Sequence, residues 1–162
     1  MKYRAVVITI SDKGSTGERA DTSGPGLRLM LQKVYEVTEV LVIPDEIDRI
    51  AETIKDQVDR IGIDLVVTTG GTGIGPRDVT PEATRAVIEK ELPGFSEIMR
   101  MESYRVTPFA LISRAVCGIR GQSIIVNLPG SPKAAAECLS FIEAALPHAL
   151  EKVKGDPSEC AR

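Results

Sequence analysis

Apolar positions along the chain fall into two alternating patterns, short β-branched runs and longer stretches at helical spacing. Residues 5–10 (AVVITI) form a nearly unbroken apolar run, the mark of a strand covered on both faces. Residues 37–43 and 63–68 predict a second and a third strand. Between them, Ile47, Ile50, Ala51, Ile54, Val58 and Ile61 recur at helical spacing and predict an amphipathic helix reaching Ile61. Its other face carries Glu46, Glu52, Lys55, Asp56 and Asp59. Leu27, Met30, Leu31 and Val34 predict a helix over roughly 25–34, with Thr22, Ser23 and Gly24 as cap candidates. Thr80-Pro81 opens a helix expected to run to about Glu91, because proline is pre-organised for a first helical position. Another helix is expected within 93–108. Residues 115–119 and 123–127 predict two more strands, and the Arg120-Gly121 spacing between them permits a hairpin. Ser131-Pro132 opens a final helix expected to reach about Lys154, where Gly155 stops it.

Strands alternating with helices predict an α/β fold: three layers, α/β/α, with a mostly parallel central sheet and a short antiparallel hairpin. At 162 residues the chain fits one domain, expected over 1–155, followed by a polar tail over 156–162. In such sheets ligands sit outside the carboxyl ends of the strands. The loops after the first three strands, and the turn after Asn127, are therefore where chemistry is expected.

Composition narrows the classes of function. With 27% charged and 43% hydrophobic residues the chain is ordinary globular protein, which excludes disordered and fibrous readings. A net charge of −3 argues against a general nucleic-acid binder, and with no Trp and three each of Tyr and Phe a base-stacking surface has little to work with. No apolar run approaches the ~20 residues of a membrane span, and the N-terminus lacks the basic start and cleavage site of a signal peptide. Cys117, Cys138 and Cys160 are far apart, with no CxxC, so neither a disulfide framework nor a zinc knuckle is indicated. A reduced, cytoplasmic setting is expected. The single histidine, His148, falls in the last helix, far from these loops in the chain.

Four loops have unusual content. Thr68–Glu82 (TTGGTGIGPRDVTPE) places Gly70, Gly71, Gly73 and Gly75 beside Thr72 and ahead of a helix start, so backbone N–H groups can approach an anion closely. It lacks the lysine of a Walker loop and the third glycine of a dinucleotide fingerprint. Asp45, after the second strand, reads first as a helix N-cap and second as a carboxylate at the strand mouth; with Asp78 it could supply the hard oxygen ligands of Mg²⁺ beside substrate phosphates. In the turn Asn127–Lys133, Asn127 stands at a strand end and Gly130 and Ser131 at a helix start. The polar stretch 11–23 is long enough to act as a cover. Arg114 and Arg120 could neutralise phosphates if they reach these loops.

Six segments together carry a resemblance: ISDKGSTGERADTSGPG (10–26), IPDE (43–46), TTGGTGIGPRDVTPEAT (68–84), LPGF (92–95), ESYRVTPFALISRAVCGIRG (102–121) and NLPGSPKAAAECL (127–139). The chain resembles the molybdopterin adenylyltransferases, the MogA/MoaB group that includes the G domains of gephyrin and of its plant counterpart. The resemblance spans nearly the whole chain. It implies a compact α/β/α domain, commonly a homotrimer with hexamers also possible, that joins AMP from Mg-ATP to the terminal phosphate of molybdopterin and releases pyrophosphate. It further implies that Asp45 and Asp78 are catalytic and hold Mg²⁺. Gly70, Gly71, Thr72 and Gly73 are implied to contact phosphate. Ser103, Ser113 and Asn127 are implied to surround the pterin and nucleotide, and the turn with Pro129, Gly130 and Ser131 to bind ligand. Ser131 and Ile74-Gly75 fall where the family varies. Without the insertion domain of the fused eukaryotic proteins, the product is expected to pass to a separate molybdate-insertion protein. Two alternatives remain: a non-catalytic pterin-binding scaffold, and a MoaB-type protein serving tungsten cofactor assembly. The implied reaction suits these residues. A phosphate monoester has a second pKa of about 6 and is largely dianionic near neutral pH. It needs positioning and charge neutralisation more than a nucleophilic side chain.

Overall fold

The computed structural model describes residues 2–158; Cys160 and the end of the polar tail lie outside the described residues. Six strands form one sheet in the order β2-β1-β3-β6-β5-β4. β1 (Arg4–Ile10), β2 (Glu36–Ile43), β3 (Leu65–Thr69) and β6 (Ser123–Leu128) run parallel, while β5 (Cys117–Arg120) and β4 (Lys90–Glu91) complete an antiparallel margin. Side-chain alternation along each central strand feeds two cores. Ala5, Val7, Leu65, Val67, Ile124 and Val126 pack against Leu27 and Leu31 of α2 (Ser23–Leu31), Met99 of α5 (Pro93–Tyr104), Leu139 of α6 (Pro132–Ile142) and Leu150 of α7 (Leu146–Val153). Val6, Ile8, Ile10, Val66 and Ile125 pack against Ile50 and Ile54 of α3 (Ile47–Lys55) and Ala83 of α4 (Thr80–Arg85). Both faces are covered, which is why these strands are so uniformly apolar. The three-layer α/β/α expectation holds.

The structure departs from the predicted elements in four places. The helix expected to reach Glu91 ends at Arg85, and Lys90 and Glu91 pair with Ile119 and Gly118 as an edge strand. Pro93 disfavours helical backbone at Leu92, and the free edge of β5 accepts the segment: Leu92 N donates to Cys117 O at 2.8 Å and Glu89 N to Ile119 O at 2.7 Å. The final helix is two helices, α6 and α7, with Pro147 in the first turn of the second, where its missing N–H costs nothing. The helix expected to run straight to Ile61 widens into a π-helical stretch over Asp56–Ile61. The polar stretch after β1 also contains a single helical turn, α1 (Asp12–Ser15).

Tyr35 is 3% exposed and its hydroxyl has no hydrogen-bond partner, with burial, and secondarily Glu143, pushing it up to about 12. A buried hydroxyl without a partner is a net cost. Tyr35→Phe is therefore expected to stabilise the protein by about 1 kcal/mol, read as a higher urea midpoint at unchanged m. Because the folded-state value lies above the unfolded value of 10.0, ionisation favours the unfolded chain as pH rises from there. The advantage of the variant should widen above pH 10. A lower midpoint for the variant would contradict this.

Candidate functional site

The parallel register brings four carboxyl ends to one edge: Ile10 lies opposite Ile43, Thr9 opposite Thr69, and Thr69 opposite Leu128. The loops that begin at Ser11, Pro44, Gly70 and Pro129 leave from there together. β1 has β2 on one side and β3 on the other, so the chain reverses its direction of travel across the sheet at β1. That switch point opens a crevice between the ends of β1 and β3.

The glycine loop lies in the crevice and is tied down by polar side chains. Thr80 Oγ1 donates to Gly70 O at 2.9 Å and Thr80 N to Gly71 O at 3.1 Å. Gly70 and Gly71 have φ of +104° and +66°, conformations that L side chains rarely adopt. Each is also crowded: a Cβ on Gly70 would lie 2.3 Å from Ile10 O, and one on Gly71 would lie 2.3 Å from Thr80 Oγ1 and 3.0 Å from Asp45 Oδ1. The backbone N–H groups of Gly71, Thr72 and Gly73 have no partner among the described residues. Unpaired amides on a tight glycine turn are anion receptors.

The loop separates two cavities, each of about 470 Å³. One is polar, lined by Thr9, Ser11, Arg19, Asp21, Ser23 and Asp45 among others. The second has apolar walls that include Met99, Val106, Phe109 and Ile112. They share Gly71, Asp78 and Gly130. Gly70 and Ser131 line the polar cavity; Thr72, Gly73, Ser103, Ser113 and Pro129 line the apolar one. Thr69 Oγ1 donates to Pro129 O at 2.7 Å, and Ser23 Oγ to Gly130 O at 2.8 Å, so the Pro129–Gly130 turn is held against β3 and α2.

Asp45 and Asp78 share the polar cavity. Asp45 exchanges hydrogen bonds with Asp12: Asp12 N donates to Asp45 Oδ2 at 2.9 Å and Asp45 N to Asp12 Oδ1 at 3.0 Å. Asp78 Oδ2 accepts from Gly75 N at 2.8 Å. Asp45 makes no side-chain cap on α3, whose N-cap is Glu46, so the N-cap reading does not hold. Burial raises the Asp45 pKa above the ordinary carboxylate value, the Asp12 amide offsets part of this, and the charges of Asp12 and Asp78 add to the rise. Arg77 grips Asp12 with two hydrogen bonds of 3.0 and 2.9 Å and holds that carboxyl below its usual range. Arg77 thus ties the glycine loop to α1, the start of the expected cover.

Three expected residues have other work. Asn127 is fully buried and lines neither cavity. Its Nδ2 donates to Thr68 Oγ1 and Thr84 Oγ1, both at 3.0 Å, and its Oδ1 accepts from Val116 N at 3.1 Å. It ties β6 to β3 and α4. Arg114 braces the glycine loop: its Nε donates to Gly73 O at 2.7 Å, its Nη2 to Asp78 O at 2.8 Å, and it pairs with Glu82. Arg120 is held by Asp59 and Val87 O, away from both cavities. His148 stands beside Glu151 on α7. Sequence reasoning assigns no individual roles to Arg19 or Asp21 and only a helix-capping one to Ser23, although all three lie in the stretch identified as a cover. The signal available is the polarity of that stretch; which side chains turn inward depends on where β1 ends.

A glycine loop with unpaired amides and two carboxylates, placed at the switch point of a parallel sheet between a polar and an apolar cavity, defines an α/β protein of the ligand-crevice type. A family model described as "Probable molybdopterin binding domain" matches residues 6–148, and the chain belongs to this family. It is 46% identical over 154 residues to the molybdenum cofactor synthesis protein cinnamon of Drosophila melanogaster; that match covers 94% of this chain but only 26% of the longer relative. It is 41% identical over 158 residues to the molybdopterin adenylyltransferase of Helicobacter pylori strain J99, covering 93% of this chain and 87% of that one. The crystal structure of the molybdopterin biosynthesis enzyme MoaB from Thermus thermophilus superposes with a TM-score of 0.90 at 46% identity, covering 97% and 99% of the two chains.

Proposed function

We propose that this chain is a molybdopterin adenylyltransferase, joining AMP from ATP to the terminal phosphate of molybdopterin with release of pyrophosphate. The observation that carries the reading is the meeting of the two cavities at Gly71, Asp78 and Gly130. A nucleotide in the polar cavity and a pterin in the apolar one would bring their phosphates together at that rim. The open amides of Gly71, Thr72 and Gly73 bind phosphate oxygens there and hold the α-phosphorus for in-line attack. The attacking phosphate oxygen is already ionised, so no side chain need remove a proton. The P–O bond to the departing pyrophosphate breaks as the new one forms. Arg114 keeps the loop in shape during the exchange, and the apolar walls exclude water that would compete as the nucleophile.

The donor set fits Mg²⁺. Asp21, Asp45 and Asp78 line the polar cavity against one cation, Arg19, so a polyphosphate enters an acidic space and needs added positive charge. No group of three or more acidic, His or Cys side chains among the described residues could hold a metal alone. Asp45 and Asp78 would therefore share the ion with substrate oxygens, which is how Mg²⁺ is usually bound. When bound it offsets charge on the polyphosphate and on the leaving pyrophosphate. The same reading carries with it a homotrimer, a cytoplasmic setting, and transfer of the product to a separate molybdate-insertion protein. No helix among the described residues is long and apolar enough to cross a membrane.

Pyrophosphate release from ATP is the direct test. It is expected only when molybdopterin and Mg²⁺ are both present, and chelation should stop it. Molybdopterin binding without pyrophosphate release would favour a scaffold and overturn the transferase reading.

A further inference from the structure

One wall of the apolar cavity carries a polar stripe that the reaction does not use. Ser96, Arg100 and Ser103 are spaced i, i+4 and i+7 on α5, so they share one helix face, and all three line the cavity. Ser96 is 3% exposed and its hydroxyl has no hydrogen-bond partner. The Cys117 thiol is close enough to feel it, but a thiol is a weak partner. Arg100 is half-buried; its Nη1 donates to Ala115 O at 3.0 Å, and the rest of its guanidinium meets no carboxylate among the described residues. On α6, Glu137 lines the same cavity, with only a loose 3.9 Å contact to the well-exposed Lys133. A buried donor without a partner and a cation without an anion, with a carboxylate across from them, mark a place for a ligand edge that carries both acceptors and donors.

We infer that Ser96, Arg100 and Glu137 read the 2-amino-4-oxo edge of the pterin ring. The oxo group accepts from the Ser96 hydroxyl and the Arg100 guanidinium, and the amino group with the adjacent ring N–H donates to the Glu137 carboxylate. Met99, Val106 and Ile112 wall the cavity that takes the flat body of the ring. This assignment rests on the proposed placement of molybdopterin in the apolar cavity. It makes these three specificity-determining residues, remote from the phosphates.

The probe is neopterin, which carries the same edge without the dithiolene or phosphate and whose fluorescence reports binding. The unsubstituted chain is expected to bind it and adenosine not to displace it. Ser96→Ala should weaken neopterin binding about five- to tenfold, and Glu137→Gln at least about tenfold, since its hydrogen bonds are to a charged group. Arg100→Lys, which keeps the charge but not the fork, should weaken it as well. The melting temperature of Ser96→Ala should fall by no more than a degree or so, because the hydroxyl has only the weak Cys117 thiol beside it in the free protein; a large fall would assign it to the fold and overturn the inference. So would an unsubstituted chain that ignores neopterin, or variants that bind it equally well. AMP transfer is measured in parallel. Variants that transfer AMP with unchanged KM for molybdopterin sink this inference and leave the transferase standing. Loss of neopterin binding in the variants of a chain that never releases pyrophosphate does the reverse.

Discussion

Asp45→Asn is expected to lower AMP transfer by about 10²–10³-fold while leaving the free protein at least as stable as before. The two effects have one origin. Asp45 is held partly buried near Asp12 and Asp78, and its folded-state pKa is raised, first by burial. A carboxylate with a raised folded value binds its proton more tightly in the fold than in the unfolded chain. As pH rises above the unfolded value, ionisation therefore works against the fold. At neutral pH the free protein carries that cost, and an isosteric amide removes it. Asn can still accept from the Asp12 amide, the contact at 2.9 Å, so the local backbone need not move. Asn also lacks the charge and oxygen pair that a hard cation needs. Thermal melting at pH 7 and pyrophosphate release on the same preparation check both halves. A lower melting temperature with normal turnover would make Asp45 a structural residue.

Gly70→Ala tests the loop from the steric side, and its effect should fall first on the fold. The new methyl would lie 2.3 Å from the carbonyl oxygen of Ile10, on a strand with neighbours on both sides, at a φ of +104°. Neither backbone yields easily. Left-handed strain costs of order 1–3 kcal/mol and overpacking about as much, so a loss of about 2–5 kcal/mol is expected in urea unfolding. Gly26→Ala is the contrast. It lies in α2 with open space around its Cα and without a positive φ, and should stabilise by about 0.5–1 kcal/mol. If both variants unfold at the wild-type midpoint, the loop is not packed against β1 as described.

Much of the architecture is legible in the sequence because the responsible signals are local. Unbroken apolar runs name strands buried on both faces, and Thr80-Pro81 and Ser131-Pro132 open helices whatever packs on them. Expectation and structure part where a local signal meets a distant competitor. Residues after Arg85 look helical until the open edge of β5 offers them hydrogen bonds. Pro147 marks a helix boundary that the pattern conceals, because the apolar positions around it keep helical spacing on both sides.

The candidate site shows the same division. Glycines at 70, 71 and 73 announce a close backbone approach, and an aspartate after a strand announces a carboxylate at its mouth. Asn127 also stands at a strand end, yet its amide points into the interior, where Val116, Thr68 and Thr84 satisfy it. Arg114 looks like a phosphate ligand by type but is bound to the carbonyls of Gly73 and Asp78. Side-chain direction depends on register, and register is not written within a single segment.

The amino-acid sequence alone determined the layered α/β class, the glycine loop and the kind of donors at hand, because hydrophobic period, glycine and proline act within a few residues of themselves. Only the tertiary structure decided that β1 lies between β2 and β3. That order brings Asp45 and Asp78 to one crevice and leaves a polar and an apolar cavity on either side of a single glycine turn. The physical reason is that strand order is settled by which faces are buried together across the whole domain, a sum over distant contacts.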